Sequence, residues 1–258
     1  MARFSIRTDD PAQSLEEIWP PFGLRVETPR LALRVLREDD FPAYVAAATS
    51  GVTHTERNPF AHAWNDKPPE ELIRASLSWV WSHRAKVGPE SWSLMLGVFL
   101  KPDDDGGLDR AGPGWSGRDG AGSAGAGVVR SGERLIGMQD CGAQHWTVLR
   151  TVASGSWLRA DQQGHGYGRE MRAGMLLWAV DHFGAAYATS GAYEWNERSR
   201  RVSLGLGYQV VGRRLVPDAH GEQAEWQEEY RLAAEDLVRP DWFVQVQGSE
   251  RLREFLAG

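Results

Sequence analysis

The spacing of apolar side chains changes several times along the first hundred residues of this chain. Residues 28–36 (TPRLALRVL) alternate apolar and charged positions, which is the two-residue period of a half-buried strand. Residues 37–49 begin with an acidic run that favours a helix N-terminus, and apolar positions recur on related turns over 69–86. Residues 90–100 return to an apolar strand pattern. The predicted order is therefore strand, helix, helix, strand.

The rest of the chain is predicted to contain one long helix among five strands. The helix covers 169–183, and the last two strands form a hairpin because a Pro/Asp/Gly turn joins them. Short helices are expected near both chain ends, at 14–19 and 250–256. The five strands are predicted at 134–140, 151–158, 185–193, 209–216 and 227–233.

One segment, residues 102–127, differs in composition from everything around it. Glycine, aspartate and alanine dominate it, so it has too little apolar area to order itself. Because strands are predicted on both sides, we interpret it as a flexible insertion in a hairpin and not as a domain boundary.

Charge and composition restrict the class of protein. The 258 residues carry a formal net charge of −6, which argues against nucleic-acid binding and suits a cationic amine substrate. No apolar run approaches the ~18 residues needed to span a membrane, and the N-terminus lacks an apolar signal core. The single cysteine, Cys141, precludes an internal disulfide, so a cytoplasmic protein without a membrane partner is expected.

A glycine-rich turn connects the predicted strand ending at Leu158 to the long helix. Gly164, Gly166 and Gly168 occupy alternate positions, where they supply backbone freedom and no side chain. The helix that follows adds unpaired N–H groups and the positive end of its dipole. This combination indicates an anion site for a phosphate or pyrophosphate.

The details of the turn distinguish three phosphate-binding designs. The lysine-containing nucleotide loop requires Gly-Lys-Ser/Thr, which the turn lacks. The dinucleotide fingerprint requires G-x-G-x-x-G, whereas the spacing here is G-x-G-x-G. Gln163, Gly166 and Gly168 do fit the pattern Gln/Arg-x-x-Gly-x-Gly/Ala. A strand, then Asn196-x-x-Ser199, then Leu-Gly-Tyr at 206–208 follow it in order. This series resembles the coenzyme A loop and the segments that follow it in GNAT acyltransferases, closely over 154–211 and loosely over 28–235.

The resemblance implies a fold, a donor and a domain plan. The fold would be α/β (α+β), with a GNAT-like mixed, mostly antiparallel central sheet flanked by helices. The donor would be acetyl-CoA, transferring its acetyl group directly in a ternary complex. The acyltransferase domain would span 28–235, between an N-terminal extension (1–27) and a C-terminal tail (236–258). The serine at the fourth position of the Asn-x-x-Ser motif, Ser199, resembles the pattern of one branch of the family. That branch includes ribosomal-protein N-terminal acetyltransferases and antibiotic-modifying relatives.

The same resemblance implies which residues bind the cofactor. Backbone N–H groups of the glycine loop would hold the pyrophosphate, and a backbone N–H near Trp157 or Leu158 would polarise the thioester carbonyl. The Asn both suits a helix N-cap and would touch the pantetheine arm. The full set implied is Trp157, Leu158, Gln163, Gly164, His165, Gly166, Tyr167, Gly168, Arg169, Asn196 and Ser199.

The acid and the base for acyl transfer are less well indicated. The tyrosine that usually protonates the thiolate, seven residues after the Asn, is replaced by Ser203, which could donate directly or through water, or be structural. Glu194 is the first candidate base, with an ion pair to Arg198 or Arg200 as its structural alternative. Asp140, His145 and a water-mediated base stay open. No Cys/His spacing predicts a metal site.

The acceptor is predicted to be a primary amine of a small metabolite or antibiotic. A protein N-terminus is the alternative, as is a non-catalytic GNAT-fold module that only binds coenzyme A. Twelve tryptophans exceed ordinary core needs and favour an aromatic-lined cavity, or an interface in a structural protein. A homodimer is common in the resembled family.

Overall fold

A computed structural model describes residues 12–55, 57–102 and 132–257 of the chain. The predicted glycine-rich insertion therefore lies outside the described residues, apart from Pro102. The strands are β1 (Arg25–Glu27), β2 (Leu31–Val35), β3 (Ser91–Leu100), β4 (Arg134–Gln144), β5 (Thr151–Ala153), β6 (Ser156–Leu158), β7 (Tyr187–Tyr193), β8 (Gln209–Pro217), β9 (Ala224–Ala233) and β10 (Gln245–Gln247). The helices are α1 (Leu15–Ile18), α2 (Phe41–Thr49), α3 (Pro69–Arg84), α4 (Trp146–Leu149), α5 (Tyr167–Leu177), α6 (Glu197–Gly205) and α7 (Ser249–Ala257).

The strands form one sheet in the order β10-β1-β2-β3-β4-β5-β7-β9-β8, with β6 paired to β4. Every pairing is antiparallel except that of β5 with β7. The predicted mixed, mostly antiparallel sheet is thereby confirmed. The predicted helices at 69–86 and 169–183 are also present, although the second ends in a π-helical turn, Trp178–Phe183.

Helices cover both faces of the sheet and create two cores. One core packs apolar side chains of β2, β3 and β4 against α5 and α7. The other packs the opposite side chains of these strands against α2 and α3. Alternation along the strands explains this division, because successive side chains point to opposite faces. A site between two strands of this sheet would therefore face α5 and α7 on one side and α2 and α3 on the other.

The two ends of the chain contribute to the same sheet. β1 pairs with β10, and β10 forms one edge of the sheet. The indole N–H of Trp178 donates to Ser249 Oγ at 3.0 Å, which fixes α7 against the end of α5. The division into extension, domain and tail stays a prediction. Among the described residues, no helix is both long and apolar enough to cross a membrane.

A gap opens in the middle of the sheet where β5 gives way to β6. β5 pairs in parallel with β7 over Thr151–Ala153, whereas β6 pairs only with β4 among the described strands. The predicted continuous strand at 151–158 is thus two strands, interrupted at Ser154 and Gly155. Because β6 does not pair with β7, backbone groups on the facing edges of these two strands have no sheet partner at this gap. The gap is closed at Ser154 and open toward the glycine-rich turn.

Candidate active site

The glycine-rich turn adopts the conformation expected of an anion site. Gly164 and Gly166 have φ values of 87° and 85°, a region that favours glycine. No atom lies within 4 Å of where a Cβ on Gly164 would stand, so its backbone faces open space. The described hydrogen bonds give the N–H groups of Gly164, His165, Gly166 and Gly168 no acceptor. These donors stand at the N-terminus of α5, where the helix dipole also favours an anion.

A buried carboxylate supports this turn from below. Glu170, in the first turn of α5, accepts hydrogen bonds from Thr28 Oγ1 at 2.6 Å and from the Arg30 backbone N–H at 2.9 Å. Arg30 Nε also donates to Glu170 at 2.7 Å, and its guanidinium lies 4.5 Å from the Tyr167 ring centre. The buried Tyr167 side chain therefore fills space under the loop. Sequence reasoning missed this support, although Thr28 and Arg30 begin the strand that it had compared with the family.

Side chains flanking the turn hold it to neighbouring elements. Gln163 Nε2 donates to the backbone oxygens of Val52 and Leu158 at 2.9 and 3.0 Å, and its Oε1 accepts from Arg198 at 2.9 Å. Arg169 Nη2 donates to Gly205 O at the end of α6, at 3.1 Å. Both side chains thus fix the loop. His165 is exposed on its rim.

The pleat of β6 decides which of its backbone groups face the gap. Asp140 N donates to Gly155 O and Arg159 N donates to Ile136 O, both at 2.9 Å. In an antiparallel pair these bonds alternate, so Trp157 also directs its N–H and C=O toward β4. Ser156 and Leu158 direct their N–H groups to the gap. Of the two residues predicted to polarise a carbonyl, Leu158 has the better-placed N–H.

α6 presents a capped start and a buried hydroxyl. Asn196 Oδ1 accepts from Ser199 N at 3.2 Å, so Asn196 is the helix N-cap that its type predicted. Ser199 is half-buried. Ser203 is 1% exposed, and its Oγ has no hydrogen-bond partner among the described residues. A buried hydroxyl without a partner is unusual in a folded protein.

The candidate bases differ in their surroundings. Glu194 pairs with Arg213 at 3.4 Å and not with Arg198 or Arg200, the partners considered from the sequence. His145 is exposed in the turn after β4, with a φ of 49°. Asp140 is half-buried at the closed end of the gap, where its Oδ1 accepts from Gly155 N.

The pKa of Asp140 distinguishes it from the other two candidates. Burial raises this pKa to about 6, and the Gly155 hydrogen bond and the Arg172 charge only partly offset that effect. A carboxylate with such a pKa is a usable base near neutral pH.

Cys141 does not have the properties of a nucleophile. It is fully buried on β4, and burial raises the pKa of its thiol. The thiolate that nucleophilic chemistry requires is therefore disfavoured. In the part of the chain that the structure describes, no three His, Cys, Asp or Glu side chains are grouped as metal ligands.

Aromatic rings cover the face of the gap that α2 and α3 enclose. The Trp157 ring centre lies 5.6 Å from that of Tyr44 and 5.5 Å from that of Trp64, which in turn contacts Phe60. Tyr193, the last residue of β7, donates to Phe60 O at 3.3 Å. The segment carrying Phe60 and Trp64 therefore spans from β6 to β7.

A cleft of about 420 Å³ adjoins this aromatic surface. It lies between residues 61–62 and the β8–β9 hairpin at 216–221, with Tyr193 and Gln227 on its floor. Its volume is within the range of small-ligand sites, about 300–1,000 Å³. The cleft meets the aromatic surface at Tyr193, the last residue of β7.

This geometry agrees with the comparison to known protein families. The family model described as an acetyltransferase (GNAT) domain matches residues 30–209, so the chain belongs to the GNAT acetyltransferase family. Members of this family use acetyl-CoA as the acyl donor. The glycine turn and the gap beside β6 fit such a donor.

Solved structures show the same fold at low sequence identity. Mycobacterium smegmatis RimJ, in complex with CoA-disulfide, is 17% identical with a TM-score of 0.57, covering 89% of this chain and 91% of its own. The ribosomal-protein-S5-alanine acetyltransferase from Vibrio fischeri is 14% identical with a TM-score of 0.56, covering 84% and 99%. A GNAT-family acetyltransferase from Bacillus anthracis is 13% identical with a TM-score of 0.54, covering 82% and 99%.

Proposed function

We propose that this acetyltransferase acts on the α-amino group of a protein or peptide N-terminus. The names of the similar structures support this acceptor, since one acetylates the alanine of a ribosomal protein. The cleft beside Tyr193 is bordered by an exposed hairpin and an exposed segment, as a chain end would require. We therefore prefer this acceptor to the small-molecule amine favoured by the sequence alone.

The unpaired gap between β6 and β7 is the observation that carries the proposed chemistry. We assign the pyrophosphate to the N–H groups of 164–168, supported by Arg30 and Glu170 behind the turn. The pantetheine arm would lie along β6, where Ser156 and Leu158 have backbone groups free of β4. We assign Asn196, Ser199 and Ser203, all at or within α6, to the same arm.

Each requirement of the transfer is assigned to a group near the gap. The Ser156 N–H, which faces the gap beside Asp140, polarises the thioester carbonyl by stabilising the negative charge that develops on its oxygen. Asp140 accepts the proton that the amine must lose before it attacks. Ser203 donates a hydrogen bond to the donor, and Glu194 becomes the less favoured base because Arg213 already neutralises it.

A thiol-release assay with acetyl-CoA tests this proposal. Its acceptor arms are peptides with free N-termini, the same peptides with blocked N-termini, polyamines and aminoglycosides. We expect turnover with free N-termini, lost on blocking, with mass spectrometry placing the acetyl group on the α-nitrogen. Turnover confined to polyamines or aminoglycosides would replace the proposed acceptor with a small molecule. Absence of turnover in every arm would contradict the proposed function.

A further inference from the structure

A buried polar cluster lies beneath the closed end of the gap, on the face covered by α5. Its centre is Arg172, which is 5% exposed. The guanidinium donates to Ser156 Oγ on β6 at 3.3 Å and to Ser190 Oγ on β7 at 3.2 Å. Its Nε donates to Gln139 Oε1 on β4 at 3.3 Å. One side chain therefore binds both strands that border the gap and the strand with which β6 pairs.

The Gln139 side chain connects this guanidinium to the interruption between β5 and β6. Gln139 is fully buried, and its Nε2 donates to Asp140 O and to Gly155 O, both at 2.9 Å. Because an amide accepts only through its oxygen and donates only through its nitrogen, the bond from Arg172 to Oε1 directs Nε2 toward Gly155. The Gly155 N–H in turn donates to the Asp140 side chain. A continuous series of hydrogen bonds thus joins Arg172 to the proposed base.

The carbonyl that Gln139 binds belongs to the same peptide group as the proposed oxyanion donor, the Ser156 N–H. A trans peptide group directs its C=O and its N–H in opposite directions, and the described residues contain no cis peptide bond. Gly155 O also accepts from Asp140 N at 2.9 Å, so two donors fix it toward β4. The Ser156 N–H is consequently fixed toward the gap. Hydrogen bonds in series polarise one another, which strengthens this N–H as a donor.

The composition of the cluster favours a role beyond packing. A buried charge is costly unless it is paired, and the partners of Arg172 are three neutral oxygens. An apolar side chain would fill the same space at lower cost. What arginine adds is a rigid, planar set of donors, and here those donors reach acceptors on three different strands.

We propose that Arg172 and Gln139 are positioning residues that aim the Ser156 N–H at the thioester carbonyl of acetyl-CoA. This inference rests on the proposed acetyl transfer, in which that N–H stabilises the developing oxyanion. Gln139 holds the peptide group, and Arg172 holds the Gln139 amide in the orientation that makes it a donor. Arg172 also ties Ser156 to Ser190, which fixes β6 relative to β7 across the gap.

Gln139→Glu tests the proposal, with Gln144→Glu as a matched control. The carboxylate at 139 keeps an acceptor for Arg172 but removes the donor to Gly155 O. We expect kcat to fall about 100-fold, the effect of misdirecting one oxyanion donor, with KM for acetyl-CoA within about threefold because the glycine turn is unchanged. Gln144 is exposed at the end of the same strand, so its variant should keep kcat within about twofold.

Two further variants separate positioning from charge. Gln139→Met removes the amide without adding a charge and should lose kcat by a similar factor. Arg172→Lys keeps the positive charge but not the planar set of donors, so kcat should fall about tenfold. A Lys variant with wild-type kcat would show that charge alone suffices and would overturn the positioning role.

Hydrogen exchange supplies a readout that does not depend on turnover. The Asp140 and Gly155 amides should exchange about tenfold faster in both Gln139 variants, whereas those of residues 227–232 should be unchanged. Wild-type kcat in both Gln139 variants would overturn the inference, whatever the exchange rates. Unchanged exchange at Asp140 and Gly155 would overturn it as well. Absence of turnover in the wild-type protein with every acceptor would instead refute the proposed function, which is a distinguishable result.

Discussion

Two buried arginines, one on strand β2 and one on helix α5, have opposite surroundings. Arg34 on β2 is 1% exposed and makes a bidentate ion pair with the buried Asp40, at 2.6 and 2.7 Å. Its guanidinium also lies 4.1 Å from the centre of the Phe99 ring. Arg172, equally inaccessible, reaches only neutral oxygens at 3.2–3.3 Å, and no described carboxylate forms an ion pair with it.

The different surroundings indicate different roles for the Arg34 and Arg172 side chains. A buried charge is costly unless it is paired, so Arg34 carries its own anion and serves the fold. Arg172 lacks that compensation at the point where the sheet opens. Its charge acts instead on the nearby Asp140 carboxyl, whose pKa it lowers.

The largest effect is expected from breaking the structural pair. Asp40→Ala leaves Arg34 buried without its carboxylate, which should lower the free energy of unfolding by about 3–5 kcal/mol. Urea denaturation measures this change. Arg172→Gln is the contrasting variant and should lose less, about 1–2 kcal/mol, since its three hydrogen bonds are to neutral groups. Equal losses in the two variants would remove the distinction between them.

Asp140→Asn should have the next largest effect. If Asp140 is the base, kcat/KM with acetyl-CoA falls about 100-fold, and the wild-type acid limb near the pKa of about 6 disappears. The measurement is a pH–rate profile of both enzymes. A retained acid limb in the variant would return Glu194 or water to the role of base.

The same carboxyl group also links stability to pH. Its folded pKa of about 6 exceeds the ordinary value of 3.8, so the folded state binds the proton more tightly. The stability that this proton confers is full below about pH 3.8 and is lost as the pH rises through about 6. Urea denaturation of both proteins should therefore show a loss with rising pH in the wild type that Asp140→Asn lacks.

Two glycines of the turn provide a smaller and better-matched contrast. Gly166→Ala imposes a side chain at a φ of 85°, and its Cβ would approach Arg30 to 3.4 Å. A left-handed residue costs about 1–2 kcal/mol, so acetyl-CoA affinity should fall about tenfold. Gly168→Ala meets only Leu158, at 3.9 Å, and should change affinity less than twofold. Calorimetry compares them, and equal affinities would argue against the turn as the pyrophosphate site.

Gln163→Ala should have the smallest effect. It removes two hydrogen bonds that Gln163 donates, to Val52 O and Leu158 O, and an exposed one that it accepts from Arg198, and should lower the free energy of unfolding by about 1 kcal/mol. Acetyl-CoA affinity should fall only through loosening of the turn. Hydrogen exchange at residues 163–168 is the direct measurement. A large affinity loss with unchanged exchange would indicate direct contact with the cofactor instead.

Local patterns predicted the turn and the elements around it. Alternate glycines, the Asn196 cap and the Leu-Gly-Tyr ending are short-range signals that do not depend on the rest of the fold. The interruption at Ser154 and Gly155 was missed because residues 151–158 have one continuous strand pattern. Only the pairing of β5 with β7 and of β6 with β4 shows that the strand is broken.

Residues that act through tertiary contacts were not recognisable from the sequence. Arg172 lies within the helix pattern with no motif around it, and only the sheet places Ser156 and Ser190 beside it. Glu194, chosen because it ends a strand, is paired with Arg213 from a strand nearly twenty residues later. Partners distant in sequence decide the charge environment, and a single sequence does not reveal them.

The most direct test of the account measures stability and acetyl transfer together in Arg172→Gln. Free N-terminal peptide is the acceptor, and urea denaturation is run on the same preparation. We expect turnover to fall about 100-fold, the cost of losing one preorganised electrostatic group, with the free energy of unfolding lowered by no more than about 2 kcal/mol. A variant that retains wild-type turnover but loses about 3–5 kcal/mol of stability would show that Arg172, like Arg34, serves only the fold.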